Sequence, residues 1–491
     1  MAQQTHHSMK KIIFLLVILS YQAVSQEVYQ THQVDSQATP LGGLSLFNQF
    51  ISSNVHVPFR SSVNGIKAKV FVKGIVETDG SMTGIEILKG IDSLCDKEAV
   101  RVLGLYKAWQ PAVLKGKKVR QTVVSHVLFE APAKENFDST QWSMIYYYNE
   151  KLFPVTDSKL YKYRSIIHLD EQGYYDRDIV YEEVKNGKWK QVSTVPFKRK
   201  ELWYKIQDEP GADSVKAYEL SAEDGYEVNY VPFLTFQEDG KRLSYLEYRT
   251  LGKALLQKKY YLSGMLKEIE SFADSSSIRI NFYANGMMKS VVESPILNVE
   301  SFQESKILSA WKPDGAQVVK DGNGYWKSTT TTVQDSHILL VEEGALTAGN
   351  KTGKWVGKLA DSTLYYTELY KNGKLQEGTS FVNGEKISYK NKALQPKFKG
   401  GLPEFYKFLG QNIKYPSEAA RNRISGRVYL SFVVCEDGSL CDYEVVKGVR
   451  RDLDNEALRV VKSMSGKWEP GVMRGQKVRV KYNLPINFQL Q

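Results

Sequence analysis

The chain repeats itself at its two ends. Gly42 to Leu105 align without a gap with residues 358 positions later, and Trp109 to Phe129 align at an offset of 359. Thirty of the 88 positions from Gly42 to Phe129 are identical, including Gly42-Gly43 with Gly400-Gly401, Asp79-Gly80-Ser81 with Asp437-Gly438-Ser439, and Trp109-x-Pro111 with Trp468-x-Pro470. One register held over that length means one fold made twice. The chain has 491 residues, more than a single core usually organises, so further domains are expected between the copies.

The second copy is the clearer to read. Leu402, Phe405, Phe408 and Leu409 fall at helical spacing, and Tyr415-Pro416 ends that helix because the residue before proline avoids the α region. Val428, Leu430, Phe432 and Val434 alternate on a strand that turns at Asp437-Gly438 into a second strand. A helix with an acidic start follows, burying Ala457, Leu458, Val461 and Met464, and "KVRVKYNLPINFQL" is a last strand. The expected fold class is therefore α+β terminal modules, helix-strand-strand-helix-strand with a three-stranded antiparallel sheet, flanking an all-β hairpin-repeat middle. Trp109 and Trp468 are expected to close each core over its second helix.

Tyr415-Pro416, Ala419, Ile424-x-Gly426, Val428, Phe432, Asp437-Gly438, Glu456, Trp468 and Pro470-Gly471 together resemble the C-terminal domain of the TonB family. The resemblance covers residues 399–491, and more weakly 41–130, where Val57-Pro58, Ala68 and Ala112 depart from the pattern. It implies a periplasmic protein that takes an extended segment of an outer-membrane TonB-dependent transporter onto a free strand edge, main-chain hydrogen bonds giving affinity and alternate side chains specificity.

Carried onto this sequence, the receiving stretch is Val478, Arg479, Val480, Lys481, Tyr482 and Asn483, with Arg479 and Lys481 on one face and Val480 and Tyr482 on the other. Pro485 would limit pairing beyond it, and proline at Val480 is expected to block it while leaving the module folded. The bland reading of Arg479 and Lys481 is protection of an edge against aggregation. Gln121 and Val123 stand where the second copy has Val480 and Tyr482, so the first copy is expected not to bind. Two other roles fit the resemblance. One is an anchored energy transducer coupled to the proton-driven inner-membrane motor, and the other a structural protein that binds peptidoglycan or another envelope component.

Residues 142–390 are of another kind. Phe236 and Gly240, Tyr260 and Gly264, Phe282 and Gly286, Trp311 and Gly315, Leu340 and Gly344, and Leu369 and Gly373 recur with a period in the twenties, and "YKNGKLQEG" and "NFYANGMMKS" read as strand, tight turn, strand. The units resemble MORN-like repeats, hairpins that stack because none buries a face alone. Aromatic residues make up 12% of the chain, which suits pleated surfaces.

Lys10-Lys11, the apolar run Ile12 to Ser20 and Ala23-Val24-Ser25 have the three parts of a signal peptide covering residues 1–25, with cleavage expected before Gln26. The apolar run is shorter than a bilayer span requires; left uncleaved, it would act as an inner-membrane anchor. Cys435 and Cys441 flank "EDGSL". A five-residue loop would let them form a disulfide in an oxidising compartment, whereas a tighter turn sets Cys435 opposite Ser439 and forms none. The net charge of +11 is dispersed among acids, which argues against a nucleic-acid partner. The seven histidines have no metal-ligand spacing, and no phosphate loop or nucleophile elbow occurs, so neither an enzyme nor a cofactor is expected.

Overall fold

The computed structural model describes residues 27–206, 214–222, 231–248, 254–296, 304–331, 338–382 and 384–489. The signal segment and its cleavage site lie outside the described residues.

The first module comprises β1 (Val28–Tyr29), α1 (Leu44–Asn54), β2 (Ile66–Val76), β3 (Met82–Lys89), α2 (Ser93–Leu105) and β4 (Lys117–Ala131). Its sheet runs β1-β4-β2-β3, with β4 and β3 antiparallel to β2 and β1 parallel to β4. Val70, Val72, Val76, Val127 and Phe129 point to the helices and are buried with Phe47, Phe50 and Leu103. The chain thus enters this sheet at Val28, earlier than the boundary at residue 41 read from the sequence. Asp92 starts α2 by accepting the backbone N–H groups of Leu94 and Cys95 at 2.9 and 2.8 Å.

The middle divides at Pro196. Five strands between Phe137 and Val195 form one antiparallel sheet, and sixteen, from Phe197–Lys205 to β5 (Glu385–Tyr389), form a long second sheet in sequence order. The glycine period is real but mixed. Gly286 and Gly373 have positive φ in turns, as expected, and Gly240, Gly264 and Gly315 do the same. Gly344 does not: it lies within the strand Leu339–Thr347, directly opposite Trp355.

Gly357 opposite Tyr366 and Gly378 opposite Tyr389 repeat that arrangement. A Cβ on these glycines would come within 2.4 Å of Trp355, 2.1 Å of Tyr366 and 2.3 Å of Tyr389. Each aromatic ring therefore lies on the bare backbone of the neighbouring strand, and only glycine admits it.

The second module comprises α3 (Gly401–Asn412), β6 (Gly426–Val434), β7 (Leu440–Lys447), α4 (Arg451–Lys462) and β8 (Val480–Phe488), with sheet order β7-β6-β8. A short helix, Ser417–Arg421, adds to the expected order, matched by Phe59–Ser62 in the first copy. Along α3, Phe405 is buried and Phe408 and Leu409 pack against the core, but Leu402 in the first turn is 58% exposed. Trp468 closes the core against Phe398, Phe405, Phe432 and Tyr482.

The copies share more than topology. Glu98 accepts the His56 N–H at 2.6 Å and Arg101 donates to the Asn54 carbonyl at 2.8 Å; Glu456 accepts the Lys414 N–H and Arg459 donates to the Asn412 carbonyl at 2.6 and 2.7 Å. Each set fastens the end of the first long helix to the second. Asp79 and Asp437 both accept the N–H and hydroxyl of the serine two residues on. Gly80 and Gly438 turn at φ 85° and 83°, so close to the tryptophan carbonyls that a Cβ would lie 2.5 and 2.2 Å away.

Candidate strand-binding edge

In the second module β8 lies at the rim of its sheet. It pairs with β6 from Gly426 opposite Phe488 to Val434 opposite Val480, and among the described residues no strand pairs with its other side. Its side chains alternate as expected: Leu484, Ile486 and Phe488 are buried, Val480 and Tyr482 half-buried, and Lys481, Asn483, Pro485 and Asn487 exposed. Tyr482 packs on Trp468 with ring centroids 5.0 Å apart, which fixes the inner face of the edge.

The pleat decides which main-chain groups are available. Successive residues of a strand turn their N–H and C=O to opposite sides, and Pro485, which has no N–H, sits in the middle of β8 opposite Tyr429 without breaking the register. An edge strand tolerates proline where the N–H would face outward. Lys481, Asn483 and Asn487 share that side, whereas Val480, Tyr482 and Leu484 turn their main chain toward β6. The expected effect of proline at Val480 is corrected accordingly: it would cut the β6 ladder rather than the free edge.

Two other site residues differ from their sequence reading. Val478 belongs to the separate strand Gln476–Val478, paired with Gly471–Met473, and is buried, so the free edge begins after it. Arg479 and Lys481 reach across the exposed sheet face to Asp442 at 2.7 Å and Glu444 at 3.6 Å. All four of these side chains are more than half exposed, so the pairs add little stability and leave the cations able to exchange partners.

Cys435 and Cys441 are free thiols. Cys435 N–H donates to the Ser439 carbonyl at 2.8 Å and Cys441 pairs with Val433, which is the tighter of the two turns and leaves no disulfide. The Cys435 thiol, beside Cys441, raises the Cys441 thiol above its ordinary pKa, and the Arg479 guanidinium lies 3.4 Å from the Cys441 sulfur.

In the first module β1 occupies only the start of the equivalent rim; from Val123 to Ala131 no strand lies on that side of β4 among the described residues. Val28 and Tyr29 pair in parallel with Arg120 and Gln121, the counterparts of Arg479 and Val480. Gln121 is 1% exposed; its Oε1 accepts the Ala38 N–H at 2.6 Å and its Nε2 donates to the Thr31 hydroxyl at 3.3 Å. The sequence signal for this was Gln121 itself, a polar residue at an inward position of an alternating strand.

The modules also dock differently. The first shares its core with the long sheet: Phe50 meets Phe282, Leu266 N–H donates to Asn54 Oδ1 at 2.7 Å, and Gly286 gives Phe50 and Tyr106 room. The second keeps a core of its own, from Phe398 to Phe488, and touches the sheet through the turn Arg474-Gly475.

Fold and edge together define a duplicated α+β module with a three-stranded antiparallel sheet, its last strand free in the second copy and capped at its start by β1 in the first. Residues 54–131 and 411–490 each match the family described as Gram-negative bacterial TonB protein C-terminal, so the chain carries two TonB C-terminal domains. The NMR solution structure of the Helicobacter pylori TonB C-terminal domain is similar at 27% identity over 18% of this chain and 79% of that one, with a TM-score of 0.16. No curated protein matches the chain. Among the described residues no helix is long and apolar enough to cross a membrane, and no group of side chains could hold a metal ion.

Proposed function

We propose that this is a non-enzymatic periplasmic protein of the TonB family whose second domain receives an extended segment of an outer-membrane transporter on the rim of β8, in support of transport across that membrane. The observation that carries this reading is the free rim of β8, which offers an unpaired main chain beside exposed Lys481 and Asn483. Strand addition needs an unpaired main chain. The long sheet acts as the scaffold that holds the two domains apart.

The test is a pull-down of outer-membrane proteins with the intact exported chain and its Asn483→Pro variant. Proline at 483 removes one outward N–H and leaves the β6 ladder whole. Capture of a transporter by the wild type and its loss in the variant are expected. Equal capture by both would refute pairing at β8.

A further inference from the structure

The two copies part company at their N-terminal flanks. Ser36 bridges to Val113 and Thr39-Pro40 pairs with Trp109-Gln110; Ala393-Leu394 pairs with Gly471–Met473 and Lys397-Phe398 with Trp468-Glu469. Asp35 to Pro40 and Ala393 to Phe398 are thus the same structural segment at the offset of 358. Continued upstream, that offset sets Val28-Tyr29 against Lys386-Ile387, which lie in β5. There they pair with Phe381 and Ser380 in the long sheet. One segment serves two ends: in the first copy it pairs with the start of the domain's rim, and in the second the long sheet has taken it.

The residues that hold the segment in the first copy are replaced in the second. Gln121 becomes Val480, Ala38 with its donated N–H becomes Pro396, and Thr31 becomes Tyr389, whose hydroxyl donates to Glu368 at 2.9 Å. Acceptor and main-chain donor of the clamp are both gone. The geometry points to a device built into the fold: residues 27–34 are an internal ligand whose strand β1 occupies the start of the first domain's rim, and an outside strand can pair at Arg120 to Thr122 only when β1 leaves. This rests on the proposed strand-receiving role of the β8 rim. It adds that the first domain is self-occupied at the start of its rim rather than degenerate.

The contact is small, two paired residues and one side-chain clamp, so tethering keeps it closed. A short tether holds a segment at roughly millimolar effective concentration. A free peptide at about a tenth of that concentration should then fill an empty rim but not displace the tethered strand.

The test uses chains beginning at Gln26 and at Asp35, with a fluorescent synthetic peptide of residues 27–34 as the probe. The peptide is expected to bind the shortened chain at least tenfold more tightly than the longer one. Thr122 has its main chain on the outward side of β4, so Thr122→Pro in the shortened chain should abolish binding while Asn483→Pro leaves it unchanged. A folded shortened chain that does not bind the peptide overturns the inference. So does binding lost with Asn483→Pro but kept with Thr122→Pro, a result that places the peptide on β8 and leaves the proposed function intact. Should the shortened chain not fold, hydrogen exchange in the intact chain decides. Tyr29→Pro should speed exchange at the Thr122 amide at least tenfold and not at Gln121 or Val123, and unchanged exchange at Thr122 overturns the inference.

Discussion

Arg474 sets its Nε 2.9 Å from the carboxylate of Glu368, a residue of the long sheet, and this pair joins the second domain to the scaffold. Both side chains are buried. The guanidinium also bonds Glu342 at 2.8 Å and lies 3.6 Å over the ring of Tyr366, while Lys351 and Lys392 neutralise Glu304 beside it. The counterpart of Arg474 in the first copy is Lys115, in the same left-handed turn at φ 51° but exposed.

Arg474→Met should therefore loosen the joint without unfolding the domain. Removing one partner of a buried pair costs about 3–5 kcal/mol because the other charge remains buried. The expected result is faster proteolytic cleavage between Lys390 and Gln395, with the domain's own melting transition retained. Lys115→Met should change neither beyond about 0.5 kcal/mol.

Acid should weaken the molecule in two stages. His56, half-buried against Tyr260, has its imidazole pushed down to about 2 by burial and by the charges of Arg242, Arg101 and Lys258. It folds neutral, so its contribution is complete above its unfolded value of about 6.5 and declines as pH falls below that. Burial pushes the Glu342 carboxyl up, but Lys351, Arg474 and the Tyr366 hydroxyl override this and hold it down at about 2. Its contribution is complete above the unfolded value near 4.3 and is lost as pH falls from there toward 2. Thermal melts from pH 7 to pH 3 should show His56→Phe reducing the first decline, to which His126, lowered by burial and Lys69, also contributes, and leaving the second unchanged.

The strand glycines should be far less tolerant than a helical one. Gly357→Ala forces a methyl into the Tyr366 ring, and overpacking of this kind costs about 1–3 kcal/mol. At Gly410 in α3 an added methyl would meet nothing within 4 Å, and the residue has no left-handed φ, so Gly410→Ala should stabilise by about 0.5–1 kcal/mol. Denaturant unfolding of both variants measures the contrast.

Residues 391–491 should fold alone, because their core contains no residue of the scaffold. Residues 27–134 should not reach a unique packing, because Phe50, Tyr106 and Trp109 share their core with Tyr260, Phe282 and Met288. Dispersed amide resonances for the first fragment and collapsed ones for the second are the expected spectra.

The sequence by itself determined the duplicated module, since alternation in the strands, the apolar faces of the helices and the Asp-Gly turns act over a few residues each. Trp468 over its core and the inward Val480 and Tyr482 were legible for the same reason. What tertiary structure alone decided was which strand edges stay open. Val28-Tyr29 and Lys386-Ile387 are equally plausible as short strands, and only the competition between a domain rim and a sixteen-stranded sheet sends one to each. Gly344 shows the same limit: its spacing suits a turn, but Trp355, eleven residues on, needed its bare backbone. Main-chain pairing is satisfied by any extended neighbour, so the choice of neighbour is made by packing across the whole molecule and leaves little trace in local sequence.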